Sequence, residues 1–148
     1  MDELIILKED AELVTAMQHF GDNMPIPLER DVFLLGTFAA GADHVPGIDV
    51  IYEALEEGDP ITLIREPENP FDEYAIRLEI AREGDPGPEL PEDLEEFAGQ
   101  KIGYIPRGTV NKIFARLMDA GKLLYGVVRT KETQNNWHRI VVKVYLKD

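Results

Sequence analysis

A short stretch of the chain, "NPFDEY" (69–74), places an amide, an aromatic ring and a carboxylate almost side by side. Asn69 and Asp72 can form hydrogen bonds with the backbone or with a ligand, and Phe71 offers a flat apolar face. The stretch is therefore a candidate wall of a binding site.

The same residues also have a purely structural interpretation. The Asn-Pro pair at 69–70 is typical of a turn, because proline fixes φ and asparagine bonds the nearby backbone. In that case Phe71 folds back onto the edge of a sheet, and Asp72 accepts hydrogen bonds from neighbouring amides. Arg65 would then pair with Asp72 or with the glutamate that follows it. The residues alone leave both interpretations open.

The sequence carries no signature of catalysis. It has no G-x-S-x-G, no Walker phosphate loop, no H-E-x-x-H and no G-x-G-x-x-G. It also has no cysteine, which excludes disulfides, thiolate metal sites and a cysteine nucleophile. His19, His44 and His138 lie far apart along the chain. We therefore expect a binding protein that is not an enzyme and that needs neither a metal nor a cofactor.

Charge and length restrict the kinds of partner. The chain has 148 residues, 44% of them hydrophobic, which suits a globular domain with a core. The net charge is −14, yet residues 108–148 carry 8 basic and 3 acidic groups. A long polyanion would be repelled everywhere except along this last quarter. Any contact with nucleic acid must therefore be local and geometric.

The sequence predicts a cytoplasmic protein. Its first residues, "MDELIILKED", lack the basic region of a signal peptide. The longest nearly apolar run, residues 32–42, is shorter than the roughly 20 residues that a membrane-spanning helix needs.

Hydrophobic patterning predicts six short strands without alternating helices. The predicted strands span residues 31–40, 60–67, 74–82, 101–107, 122–132 and 137–147, the last two being joined by the polar connection "TQNN". Residues 48–59 fit either a short helix or an extended segment. Residues 83–98 are rich in acidic residues, Pro and Gly, which indicates a solvated insertion within a hairpin. This pattern predicts a mainly β (α+β) fold, a small OB-like antiparallel barrel with two or three helices.

The clearest helix is predicted over residues 109–120. Its apolar side chains recur at helical spacing, with Thr109 as the cap; they are Val110, Ile113, Phe114, Leu117 and Met118. A second helix is predicted over residues 9–20. We divide the chain into an N-terminal helical extension, residues 1–30, and a barrel domain, residues 31–148.

Two longer motifs resemble the HIRAN domain, a module found at the N-terminus of some SWI2/SNF2-type DNA-repair helicases and also as a stand-alone bacterial protein. They are "REPENPFDEYAIRLEI" (65–80) and "GQKIGYIPRGTVNKIFARLMDAGKLLYGVV" (99–128). The shared pattern is R-x-P-x-N-P-[YF]-D-x-x-A-I-x-[VL], then G-x-x-[IV]-G-[YH]-[IL], a helix and G-V-V. The resemblance covers about Val32 to Leu146 and implies an OB-like β-barrel.

In DNA-remodelling members this barrel captures the free 3′ end of single-stranded DNA, so the resemblance implies roles for residues of this chain. Phe71 would stack on the terminal base, and Asp72 would accept a hydrogen bond from the terminal 3′-hydroxyl. Asn69 would orient Asp72 or contact the sugar and base. Tyr104 and Arg107 match positions that line the same groove, with Arg107 as a phosphate contact.

Three further residues complete the expected nucleic-acid-binding set. Trp137 lies near an aromatic position of the family, Arg65 opens the first motif, and Phe38 follows the glycine of the first strand. Simpler interpretations stay open, since Tyr104 and Trp137 are also suited to packing on the barrel. The stretch "GTFAAGADH" (36–44) lacks the basic residues of DNA-binding members. With the charge of −14, it favours an alternative in which the groove binds a peptide of a protein partner or has lost its ligand.

Overall fold

The computed structural model describes residues 30–134 and 137–148, and its main feature is one six-stranded antiparallel sheet. The strands are β1 (Val32–Phe38), β2 (Pro60–Glu66), β3 (Ala75–Ile80), β4 (Lys101–Tyr104), β5 (Leu124–Gln134) and β6 (Trp137–Leu146). They lie in the order β1-β6-β5-β2-β3-β4, and every pair is antiparallel. All six predicted strands are confirmed, with ends that differ by a few residues.

Within residues 30–134 and 137–148, two α-helices and two 3₁₀ turns accompany the sheet. Helix α1 spans Ile48–Ala54 and helix α2 spans Thr109–Asp119, while the 3₁₀ turns span Ala42–His44 and Glu92–Phe97. The ambiguous segment 48–59 is thus helical in its first half only. The sheet curls into a half-barrel, which confirms the predicted mainly β, OB-like fold. The predicted helix over residues 9–20 lies outside the described residues, and the domain boundary near residue 30 stays a prediction.

A backbone bridge joins the two outermost strands at one end of the sheet. Ala40, just beyond β1, donates to the carbonyl of Tyr104 at 2.7 Å and accepts from the Tyr104 amide at 2.9 Å. This close approach requires Gly103, whose φ is 152° and where an added Cβ would lie 2.7 Å from the Ala40 carbonyl oxygen. The bridge holds the end of β1 against the end of β4.

Alternation along β6 separates the core from the surface. Ile140, Val142 and Val144 are fully buried, so Arg139 and Val141 project from the opposite face. Helix α2 covers the core with Phe114 and Ala115, whereas the predicted core residue Ile113 is 48% exposed. The helical spacing therefore located α2 correctly but made its apolar face too wide by one residue.

Two other expectations need correction. The acidic segment after β3 is not wholly solvated, because Leu94 in its 3₁₀ turn is buried in the core. Thr109 does not cap α2: it is the first helical residue, and Gly108 occupies the N-cap position. The side-chain oxygen of Asn111 accepts a hydrogen bond from the Gly108 amide at 2.9 Å instead.

Candidate nucleic-acid interface

The turn between β2 and β3 is held by the side chain of Asn69. Its Oδ1 accepts hydrogen bonds from the backbone amides of Phe71 at 2.8 Å and Asp72 at 3.2 Å. Its Nδ2 donates to Oε1 of Glu66 at 2.9 Å. These bonds form an Asx-type turn, in which a side chain replaces a backbone partner. Asn69 thus holds the backbone of the turn at Phe71 and Asp72, and the roles expected for it toward a ligand stay predictions.

Asp72 is fixed from two sides. Its Oδ1 accepts from the Tyr74 amide at 2.9 Å, and its Oδ2 accepts from Nδ2 of Asn111 at 2.8 Å. Asn111 is fully buried and also donates to the Tyr74 carbonyl at 3.2 Å. Because each carboxylate oxygen has two lone pairs, one acceptor position on each remains. The half-buried carboxylate of Asp72 is thus rigidly oriented and still able to accept a hydrogen bond.

Phe71 projects from this rigid turn into solvent. Its side chain is 82% exposed, so the alternative in which it folds back onto the sheet is wrong. Beside it lies a cleft of about 490 Å³, which Ala40 and Ile105 also line. Five of the residues predicted to bind line this one cleft: Asn69, Phe71, Asp72, Tyr104 and Arg107. The structure therefore brings together residues that lie in two separate motifs of the sequence.

Tyr104 connects the cleft wall to the turn. Its hydroxyl donates to Oε1 of Glu66 at 2.9 Å, and the Lys101 ammonium lies 4.5 Å from its ring centroid. Burial, reinforced by the hydrogen bond to Glu66 and by the charge of that carboxylate, raises the pKa of Tyr104. Burial alone would raise the pKa of Glu66, but hydrogen bonds from Asn69 and Tyr104 and the charge of Arg77 outweigh it and lower that pKa. Glu66 therefore stays ionised and holds Asn69 and Tyr104 together.

Arg65 does not belong to the cleft. Its guanidinium donates to both carboxylate oxygens of Asp119 at 3.0 and 3.1 Å and to the Ala75 carbonyl at 3.0 Å. The predicted pairing with Asp72 or Glu73 is therefore wrong. Arg65 instead ties β2 to the last turn of α2, which is a structural role.

A second cleft, of about 550 Å³, adjoins the first at Arg107. Phe38 lines it, together with two arginines that the sequence did not single out, Arg129 and Arg139. The Arg139 guanidinium lies 4.4 Å from the Phe38 ring centroid and 5.9 Å from that of Trp137, whose side chain is 40% exposed. Phe38 and Trp137 thus flank Arg139 and do not line the first cleft.

The two clefts differ in charge from the rest of the chain. Together they are lined by four cationic side chains, Lys101, Arg107, Arg129 and Arg139, and by one carboxylate, Asp72. The acidic residues are concentrated elsewhere, because segments 48–59 and 83–97 carry five and seven of them without one Lys or Arg. Helix α1 in the first segment contacts the 3₁₀ turn in the second. The two clefts are therefore lined by more positive than negative side chains, although the net charge of the whole chain is −14.

Comparison with known proteins agrees with this geometry. The sequence pattern of the HIRAN domain family matches residues 32–147. A structural-genomics protein from Lactobacillus plantarum is 25% identical with a TM-score of 0.62, over 81% of this chain and 98% of the other. The HIRAN domain of human HLTF is 18% identical with a TM-score of 0.51, over 79% of this chain and 78% of that domain. No curated protein matches the sequence significantly.

A half-barrel with an exposed aromatic turn and a cationic cleft defines a binding module, and the chain belongs to the HIRAN domain family. The family is a nucleic-acid-binding family and not a catalytic one. Within the described part of the chain, no helix is both long and apolar enough to cross a membrane.

Proposed function

We propose that this protein binds the free 3′ end of single-stranded DNA without catalysing a reaction. The observation that carries the proposal is the position of Phe71, which is 82% exposed on a turn held by side-chain hydrogen bonds. A large exposed ring on a rigid turn is a stacking surface that needs no reordering before it binds. Stacking of a base on such a ring contributes about 1–3 kcal/mol.

Asp72 gives the site a means of recognising a chain end. Its carboxylate has one acceptor position left on each oxygen, suited to a terminal hydroxyl. A phosphate at the same place would bring two negative charges together in a half-buried cleft, which is unfavourable. The site should therefore distinguish an unblocked end from a phosphorylated one. Lys101 and Arg107, which line the same cleft, offset the repulsion between the acidic protein and the strand.

The proposal can be tested with fluorescence anisotropy at low salt, using single strands of about 10 nucleotides, a length within the usual range of a barrel of this kind. One strand carries a phosphate at its 3′ end and the comparison strand carries it at its 5′ end, so that total charge is equal. We expect the 3′-phosphorylated strand to bind more weakly. Phe71→Ala should weaken binding of the free 3′ end about 5- to 150-fold, the equivalent of one stacked base.

The matched control removes a different exposed apolar side chain. Val50, on α1, is 61% exposed and lines neither cleft, so Val50→Ala should leave affinity unchanged. Equal affinity for the 3′- and 5′-phosphorylated strands would contradict end recognition.

The absence of Lys and Arg from residues 36–44 favours a second candidate function, a protein-interaction module whose cleft takes a peptide. Non-specific DNA binding typically has dissociation constants between about 10⁻⁴ and 10⁻⁶ M. Absence of binding to any strand at about 100 μM protein, the weak end of that range, would therefore favour the peptide alternative.

A further inference from the structure

The second cleft collects arginines from three separate elements. Arg107 lies in the loop before α2, Arg129 lies on β5 and Arg139 lies on β6. The first turn of α2 also lines the cleft, and backbone amides at a helix N-terminus favour negative charge. Three like charges around one open groove repel one another. Such an arrangement is stabilised when an anion occupies the groove.

Arg139 has an oriented guanidinium and forms no ion pair with any of residues 30–134 and 137–148. Its guanidinium lies over the Phe38 ring, and its Nε is buried without a hydrogen-bond partner among residues 30–134 and 137–148. Glu132 stands directly opposite Arg139 in the β5–β6 register, yet the two form no ion pair in the described structure. Because this Nε is covered, an anion in the cleft would be bound by the remaining guanidinium donors of Arg139, which lines the cleft.

Arg129 owes its position to an irregularity of the sheet. The β5–β6 register shifts between Val128 and Thr130, which makes Arg129 the extra residue of a β-bulge. Bulges redirect a side chain relative to regular pleating. Arg129 and Arg107 are both exposed, and neither forms an ion pair within the part of the chain that the structure describes. Both guanidinium groups are therefore available to an external anion.

We propose that this groove is a phosphodiester subsite, which binds the first or second internucleotide phosphate behind the 3′ end held at Phe71. The inference rests on the proposed function, because Arg107 lines both clefts and gives a bound strand a continuous path from one to the other. This subsite also explains how the chain could bind phosphate although residues 36–44 contain no Lys or Arg. In place of cations on residues 36–44, the cleft has Arg139 from β6, which pairs with β1, and Arg129 from the bulge of β5, the next strand of the sheet.

The test uses strands in which a single linkage is a neutral methylphosphonate, moved stepwise from the 3′ end to the 5′ end. We expect affinity to fall about tenfold at the first or second linkage, the loss of one charge-assisted contact, and to change little elsewhere. Arg129→Gln and Arg139→Gln should bind the normal strand more weakly and should become insensitive to that same neutral linkage. Arg129 is exposed, so its variant is expected to fold even if the Arg139 variant does not.

Arg116→Gln is the matched control, because it removes the same charge from an exposed position of α2 that lines neither cleft. It should keep the full sensitivity to the neutral linkage. An equal effect of methylphosphonate at every linkage, or unchanged sensitivity in both arginine variants, would overturn the subsite and leave only diffuse electrostatic attraction.

Two outcomes separate this inference from the proposed function. If Phe71→Ala and the 3′-phosphate have no effect while Arg129→Gln and Arg139→Gln, unlike Arg116→Gln, weaken binding, the arginines bind backbone phosphate but end recognition fails. If end recognition holds but the neutral linkage has the same effect on affinity at every position, the subsite fails alone.

The groove could also bind free phosphate, and a titration with inorganic phosphate, monitored by the NMR signals of the arginine Nε–H groups, tests this second source of the anion. Signals of Arg129 and Arg139 that shift with phosphate, when no strand binds, would overturn the phosphodiester assignment in favour of a free-phosphate site.

Discussion

The buried amide of Asn111 donates a hydrogen bond to the carboxylate of Asp72 over 2.8 Å, and so fixes the β2–β3 turn to the first turn of α2. The same side chain accepts from the Gly108 amide at 2.9 Å. One residue thus caps the helix and sets the direction of the carboxylate in the cleft. The site depends on α2 as much as on the strands that carry its residues.

Replacement of Asn111 by alanine should destabilise the fold and the site together. It leaves the Gly108 amide, the Asp72 carboxylate and the Tyr74 carbonyl each without one partner. Loss of a buried hydrogen bond to a charged group costs about 1.5–3 kcal/mol, so we expect the free energy of unfolding to fall by about 2–3 kcal/mol. Equilibrium unfolding in urea measures the change.

Thr109→Ala is the matched control for this prediction, since the sequence indicated Thr109 as the cap. Thr109 is exposed and makes no capping hydrogen bond in the structure. Its replacement should change the free energy of unfolding by less than about 0.5 kcal/mol. A larger cost at Thr109 than at Asn111 would show that the helix is capped as the sequence first indicated.

The bridge between Ala40 and Tyr104 makes Gly103 intolerant of any side chain. A Cβ at residue 103 would lie 2.7 Å from the Ala40 carbonyl oxygen, and its φ of 152° disfavours other residues. Overpacking of this kind typically costs about 1–3 kcal/mol, so Gly103→Ala should unfold at lower urea concentration. Because Ala40 and Tyr104 line the first cleft, affinity for single strands should fall as well.

Gly36 provides the comparison in another strand. A Cβ there would lie 3.9 Å from the Val142 carbonyl oxygen, which is an ordinary contact, and its φ is not in the left-handed region. Gly36→Ala should therefore raise the free energy of unfolding by up to about 1 kcal/mol, because alanine loses less conformational freedom on folding. If Gly103→Ala were as stable as Gly36→Ala, the bridge would not be closely packed.

Local chemistry explains what could be predicted from the sequence. The strands, α2 and the turn at residues 69–72 follow from periodicity and from the side-chain preferences of Asn and Pro. Asn111 was not predicted as a partner of Asp72, because a contact between residues 39 positions apart has no local signal. The error over Ile113 has a similar cause, since spacing defines a helix face but not how far its neighbours cover it.

The arginines of the second cleft could not be predicted for a different reason. Which face of a strand a residue occupies depends on register, and a shift of one residue reverses every side chain. Arg129 stands at the point where the β5–β6 register shifts, so alternation along β5 fails there. Arg139 reaches Phe38 only because β6 pairs with β1, and that pairing is not visible in sequence order.

Ionisation of Glu66 should make the site's stability depend on pH. Its carboxylate accepts hydrogen bonds from Asn69 and Tyr104 and pairs with Arg77 at 2.7 Å, and its pKa is below the ordinary 4.5. A carboxyl group with a lowered folded-state pKa stabilises the fold above its unfolded pKa and loses that contribution as pH falls through the folded value. Wild type should thus be more stable than Glu66→Gln at neutral pH, and the difference should shrink below about pH 4.5.

Urea unfolding of both proteins between about pH 7 and pH 3 measures this difference, with other carboxylates contributing equally to each. Glu68→Gln is the control, because Glu68 is an exposed residue of the same turn. The free energy of unfolding of Glu68→Gln should equal that of wild type at every pH.

Affinity for single strands should fall in Glu66→Gln at neutral pH, since Glu66 holds both Asn69 and Tyr104 at the first cleft. A difference between wild type and Glu66→Gln that stays constant, or grows toward acid, would mean that the ionised carboxylate does not hold the turn.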